Sequence, residues 1–147
     1  MAGRWNLDRI EEGQSASFSK TITEADLVLF AGITGDTNPL YLDEEHARNR
    51  RFPARFAHPA LLVGLMHSAF SARLSGVSDG VLTEAQYRFF APLHLGDTGS
   101  AQAAVSKIDR EAKRVTLELS CTNQGGGRVA EGRVVLIPPT EQIEVDP

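Results

Sequence analysis

Residues 31–67 read AGITGDTNPLYLDEEHARNRRFPARFAHPALLVGLMH, and the parsing of this stretch decides the fold. Asp36, Asn38 and Pro39 are turn formers, and a proline pushes the residue before it out of the helical region. GDTNPLYLD is therefore expected as an ordered loop and not as helix. Asp43 can cap a short helix over EEHARN, whose basic end suits the helix dipole. From His58 the run HPALLVGLMHSAFSARLSG predicts a helix, with Pro59 in its first turn and Gly76 as its stop. Leu61, Leu65 and Ala69 recur at helical spacing, as do Leu62, Met66 and Phe70. Both faces are then apolar, which implies a rod of ~16 residues, about 24 Å long, buried on most sides. Polar groups are delivered to the mouth of a buried apolar helix.

Upstream, QSASFSKTI at 14–22 predicts a short strand. Thr23 with Asp26 three residues on forms a capping box that opens a helix running to about Ala31 or Ile33, and Gly32 and Gly35 are expected to end it. Downstream of Gly80 the period changes to two. VLTEAQYRFFAPLHLGD, TGSAQAAVSKID, KRVTLELSCTN and GGRVAEGRVVLIP alternate apolar and polar residues, with turn signals at Gly96-Asp97, Asp109-Arg110 and Gly125 to Gly127. The last three runs are sequence neighbours, so an antiparallel meander is the economical pairing. One buried helix early and strands later predict an α+β domain, a curved antiparallel sheet wrapped around a central helix.

Composition fits that class. The 147 residues are 41% hydrophobic and 23% charged, the balance of a single soluble globular domain, here 1–147 with 1–13 and 138–147 peripheral. A net charge of −4 argues against a dedicated nucleic-acid binder. No apolar run approaches the ~20 residues of a membrane span, and MAGRWNLDRIEEG lacks the apolar core of a signal peptide, so a cytoplasmic protein is expected. The single cysteine, Cys121, reads as a buried small hydrophobe. The four histidines do not stand at paired ligand spacing, so no metal site is expected, and His46 and His94 read as surface residues. QGGGRV lies between strands and reads as a hairpin turn, not a nucleotide loop. Arg48, Arg50, Arg51 and Arg55 form either a solvated rim or a phosphate-binding patch.

GDTNPLYLDEEHA, then FAHPALLVGL, then YRFFAPLHLGD stand in an order and spacing that resembles the MaoC-like hydratases and dehydratases of the hot-dog fold, over about residues 18–137. The resemblance implies reversible, cofactor-free addition of water across the 2,3 double bond of a trans-enoyl thioester of CoA or an acyl-carrier protein. It also implies a homodimer, or a heterodimer with another hot-dog chain, with the acyl group in a tunnel at the junction. The family's aspartate matches Asp36, followed by Asn38. Two positions depart from the pattern. In Asp-x-Asn-Pro-x-His the histidine is replaced by Tyr41, and in the Ala-His-Gly helix opening the glycine, whose amide polarises the thioester carbonyl, is replaced by Pro59, which has no N–H. Ala60 or a later amide would have to serve.

His58, at the helix entry, is expected to fix the loop by hydrogen bonding. His67 falls about where relatives often carry an active-site serine; it either enters the pocket or packs with Met66 and Phe70. The resemblance thus assigns Asp36 to orient water, with Tyr41 or His67 as partner. Asn38, His58, Pro59, Ala60 and Arg51 contact the substrate in this reading, Arg51 receiving a carrier phosphate. Two other readings stand beside it: a degenerate hot-dog subunit that shapes the tunnel of a catalytic partner, and a hot-dog thioesterase.

Overall fold

The computed structural model describes residues 5–139. Its elements are β1 (Ser15–Thr21), α1 (Glu24–Thr34), α2 (Pro39–Leu42), α3 (Glu44–Asn49), α4 (Pro59–Ser71), β2 (Val81–Phe89), β3 (Thr98–Asp109), β4 (Arg114–Thr122) and β5 (Arg128–Ile137). The strands form one antiparallel sheet in the order β1-β3-β4-β5-β2, so β3, β4 and β5 are the expected meander and β2 is an edge. Alternation decides which face is dry. Val115, Leu117, Leu119 and Cys121 on β4 are fully buried, and they meet Leu62, Leu65, Met66, Ala69 and Phe70 of α4 in one core. Each large side chain buried this way contributes about 1.5–3 kcal/mol. Register shifts at Leu82/Glu84 and Val105/Lys107 add the local bend that lets the sheet curl around α4. Among the described residues no helix is long and apolar enough to cross a membrane.

Six expectations are corrected. Helix α1 runs through Gly32 and stops only at Gly35, whose φ of 76° closes it with an N–H to Ala31 carbonyl bond of 2.8 Å. Pro39 to Leu42 form one helical turn where a loop was expected, because a proline in the first turn after a capping asparagine starts a helix as readily as it breaks one. Helix α4 has 13 residues and ends at Ser71, not near Gly76. Gly76, at φ 92°, instead makes room for the N-terminal segment: a Cβ there would lie 2.6 Å from Ile10 Cγ1. Ile10 is only 1% exposed, so residues 5–13 are not wholly peripheral.

The fifth correction concerns burial. A single sheet covers one side of α4, and Ala60, Gly64 and Ser71 remain exposed on the other. The N-terminus of α4 is tied to the segment after β2 by Ala57 N–H to Leu93 carbonyl (2.8 Å) and Leu95 N–H to Arg55 carbonyl (2.9 Å). His94 belongs to this tie and is not a surface residue: it pairs with Phe56 in an isolated bridge and is half-buried.

Candidate active site

Three local turns aim the carboxylate of Asp36. Thr34 Oγ1 accepts from the Asp36 amide (3.2 Å), Asp36 Oδ1 from the Asn38 amide (3.2 Å), and Asn38 Oδ1 from the Leu40 amide (3.0 Å). Hydroxyl and Asx side chains close turns in this way when they bond the backbone two residues on. The other carboxylate oxygen, Oδ2, is thereby left to meet His58 Nε2 at 2.7 Å. His58 is the N-cap of α4, and its Nδ1 accepts from the Ala60 amide at 2.9 Å. A nitrogen that accepts an N–H carries no proton, so the imidazole proton lies on Nε2 and is donated to Asp36.

Aromatic rings fix the imidazole from the sides. Phe30 lies at 5.0 Å and Tyr41 at 4.9 Å, centroid to centroid, and Tyr41 is itself held edge-on by Phe56 at 5.5 Å. The Asn38 amide first, and then His58, hold the Asp36 carboxyl below the usual carboxylate range. Burial, and then the charge of Asp36, push the Tyr41 phenol up from 10.0. The site at neutral pH is therefore a carboxylate, an imidazole that donates to it, and a neutral phenol beside both. The Tyr41 hydroxyl makes no hydrogen bond among the described residues, so its proton is available.

Arg55 braces this arrangement from behind. It is 9% exposed, and its guanidinium joins Glu44 Oε2 through Nε (3.0 Å), Glu24 Oε1 through Nη1 (3.0 Å), Glu24 Oε2 through Nη2, and the Leu42 carbonyl (3.5 Å). One side chain so connects the starts of α1 and α3, the end of α2 and the segment entering α4. Arg55 is thus withdrawn from any phosphate patch, and Arg48 pairs with Glu44 at 3.7 Å. Arg51 stands exposed in the turn after α3, in a left-handed conformation at φ 69°.

Two residues proposed from sequence are differently engaged. The Ala60 amide is taken by His58 Nδ1, and the Leu61 amide by the His58 carbonyl at 2.9 Å. With Pro59 lacking an N–H, the first turn of α4 offers no open amide from these three residues. His67 does not turn to Asp36: its Nε2 bonds the hydroxyl of Tyr87 on β2, and its ring lies 5.0 Å from Phe70. Sequence reasoning missed Tyr87, and no local signal marks it. His58 fixes the loop by hydrogen bonding as expected, but as the N-cap of α4 and the direct partner of Asp36, a pairing that sequence reasoning gives to Tyr41 or His67. Among the described residues no three His, Cys, Asp or Glu converge to hold a metal.

A curved antiparallel sheet around one central helix defines a hot-dog domain, here with an acid–imidazole pair at the entry of that helix. The sequence profile of the MaoC like domain matches residues 6–124, and the chain belongs to that family. It is 38% identical over 133 residues to an (R)-specific enoyl-CoA hydratase of Rhodospirillum rubrum, covering 90% of this chain and 91% of the relative. With a 3-hydroxybutyryl-CoA dehydratase of Methylorubrum extorquens it shares 32% over 141 residues, 96% and 88% of the two chains. The unliganded R-hydratase PhaJ1 of Pseudomonas aeruginosa superposes with a TM-score of 0.83 at 31% identity, over 95% of this chain and 92% of that one.

Proposed function

We propose that this chain reversibly hydrates the 2,3 double bond of an enoyl thioester carried by CoA or an acyl-carrier protein. The observation that carries the reading is the 2.7 Å bond between Asp36 and His58 at the entry of α4, in a chain of this family. Asp36 removes a proton from water as the water oxygen bonds C3. The double-bond electrons move toward C2 and the thioester oxygen, and the proton held by Asp36 then goes to C2. Dehydration is the reverse. His58 is a positioning residue: its Nε2–H holds one carboxylate oxygen and leaves the remaining lone pairs of the other to the water. Tyr41 supplies the hydrogen bond to the thioester oxygen that the first turn of α4 cannot, since Pro59 has no N–H and the Ala60 amide is engaged. Arg51 is an exposed cation for the phosphate of the carrier.

The reading is tested by following loss of the enoyl absorbance of crotonyl-CoA with purified protein. We expect Asp36→Asn to lower kcat by roughly 10²–10⁴, the usual worth of a positioned acid–base group. A wild-type rate no greater than that of Asp36→Asn would remove it. A second reading is favoured by the closed first turn of α4: a subunit that shapes the acyl tunnel of a different hot-dog chain. In either case β2 is an open sheet edge, with Leu82 38% and Phe89 46% exposed, on which a second hot-dog chain docks. Full hydratase activity in a homogeneous preparation of this chain alone excludes the subunit reading.

A further inference from the structure

His67 on α4 and Tyr87 on β2 form a half-buried polar pair that the mechanism leaves unused. Ala60, Gly64 and His67 follow one another at helical spacing along the face of α4 that the sheet leaves open. Helix α4 packs over β1, β3 and β4, whereas β2 is the sheet edge beyond β5. The β2 residues on the helix side are those opposite buried Val134, Gly132 and Ala130, namely Ala85, Tyr87 and Phe89. Between the two walls β5 forms a low floor, because Gly132 and Ala130 carry almost no side chain. The Tyr87 ring rests on that floor: a Cβ at Gly132 would lie 2.7 Å from Tyr87 Cδ1. Ala60, Gly64, Ala85 and Phe89 bring no polar side-chain atom to the walls. The His67–Tyr87 pair is thus a polar point in an otherwise apolar trough.

The chemistry of the pair decides what it can meet. Burial holds the His67 imidazole down and the Tyr87 phenol up, so both are neutral at pH 7. The bond between His67 Nε2 and the phenol is compatible with either direction. If the phenol donates, its oxygen still accepts; if Nε2–H donates, the phenol keeps an unused O–H. The Tyr87 hydroxyl has no second partner among the described residues. A hydroxyl both donates and accepts, so it completes the phenol in either arrangement. A methylene completes neither, a carbonyl only the second, and a carboxylate gains no opposite charge from a neutral pair. We propose that the His67–Tyr87 pair binds a hydroxyl carried on the acyl chain, so that the substrates of this protein are hydroxylated enoyl thioesters. This rests on the hydratase reading. From Ala60, in the turn that carries His58, to His67 is about 10 Å of helix, and from Phe89 to Tyr87 about 7 Å of strand. A zigzag chain advances roughly 1.3 Å per carbon, which puts the bound hydroxyl about five to eight carbons from the thioester carbonyl.

The test compares thioesters of equal length: the CoA thioesters of hexanoate and octanoate, of their ω-hydroxy forms, and of octanedioate. Being saturated, they report binding by titration calorimetry without turnover. Wild-type protein should bind the ω-hydroxy form about tenfold tighter than its plain counterpart at one of the two lengths. Tyr87→Phe keeps the ring on Gly132 and should cut that preference to about twofold or less, and His67→Leu combined with Tyr87→Phe should abolish or reverse it. The trans-2-enoyl forms should show the same order in kcat/KM. Equal or weaker binding of both ω-hydroxy forms overturns the proposal, as does tighter binding of the octanedioate thioester than of its ω-hydroxy counterpart. So does a preference that survives Tyr87→Phe in protein whose far-ultraviolet circular dichroism is native. Failure of the hydratase reading looks different: no enoyl thioester, plain or hydroxylated, would be turned over, while the binding ratios would still decide the role of the pair.

Discussion

Gly132→Ala isolates the strand contact that seats the Tyr87 ring. Gly132 lies on β5 directly opposite Tyr87, and it is buried. At an open strand position the change would stabilise by about 0.5–1 kcal/mol, because glycine gives up more backbone freedom on folding than alanine does. Here an added Cβ would lie 2.7 Å from Tyr87 Cδ1, 2.8 Å from Cε1 and 3.3 Å from the Gln86 carbonyl. The ring cannot simply swing aside, since its hydroxyl is bonded to His67 and His67 packs on Phe70. Overpacking of this kind costs about 1–3 kcal/mol, which against that gain leaves a net loss of up to about 2.5 kcal/mol. The assay is urea unfolding at one fixed protomer concentration, read as a lower midpoint at unchanged slope. In a Tyr87→Ala background the clashing atoms are gone, so the same change should become neutral or stabilise by about 0.5 kcal/mol. An equal cost in both backgrounds would show that the ring is not what Gly132 accommodates, and the placement of Tyr87 against Gly132 and His67 would fall with it.

Other outcomes follow from the same geometry. Tyr41→Phe keeps the ring against His58 but removes the free hydroxyl, so kcat should fall about 10²-fold with little change in KM; an unchanged kcat would reduce Tyr41 to packing. Arg55→Met frees two carboxylates that can rehydrate, so the fold survives with a lower urea midpoint. The loosened entry of α4 should cost roughly tenfold in kcat/KM, less than the ~100-fold of a 1 Å misplacement, and wild-type kinetics would refute the bracing role. Burial holds His67 below its ordinary value of about 6.5, so the unfolded chain takes up its proton first. The stability it contributes is complete above about pH 6.5 and is lost as pH falls toward the lowered value. His67→Gln should therefore show a smaller drop in urea midpoint between roughly pH 7.5 and pH 5.5 than wild type, and equal drops would contradict this. Asp36, held low by the Asn38 amide and then by His58, should place its acid limb in kcat/KM below about pH 4; a limb near neutrality belongs to another group.

Much of the fold was legible because period and punctuation are local properties. The two-residue alternation of VTLELSC and VAEGRVVLI fixed β4 and β5, and three consecutive strands joined by short turns pair as a meander with little alternative. The capping box of Thr23 and Asp26 is present with both of its bonds. The errors fall where one local signal had two meanings. Gly32 can stop a helix or ride within it, and Asn38-Pro39 can break a helix or begin one. Tertiary contacts chose between them: the Gly76 turn is filled by Ile10 and not used as a helix stop.

The site was legible as a stretch but not as a set of partners, and the reason is geometric. Sequence spacing says which residues share a helix face; it does not say which side chain at an N-cap can reach a loop 22 residues upstream. Losing histidine at position 41 made the imidazole look absent, when the fold brings another one to the same carboxylate from the start of α4. The exchange changes the chemistry. His58 is engaged through both ring nitrogens, one accepting from Ala60 and one donating to Asp36, so it orients the base without being free to act as one. The proton traffic of the proposed hydration then falls to Asp36 alone, and the electrophilic assistance to the neutral phenol of Tyr41. The same capping bond that fixes His58 occupies the amide a thioester oxygen would otherwise meet. In the proposed hydration the tyrosine at 41 and the proline at 59 are therefore linked: a helix entry that cannot donate requires a donor from the facing loop, and Tyr41 stands there against the His58 ring with no hydrogen bond to its hydroxyl among the described residues.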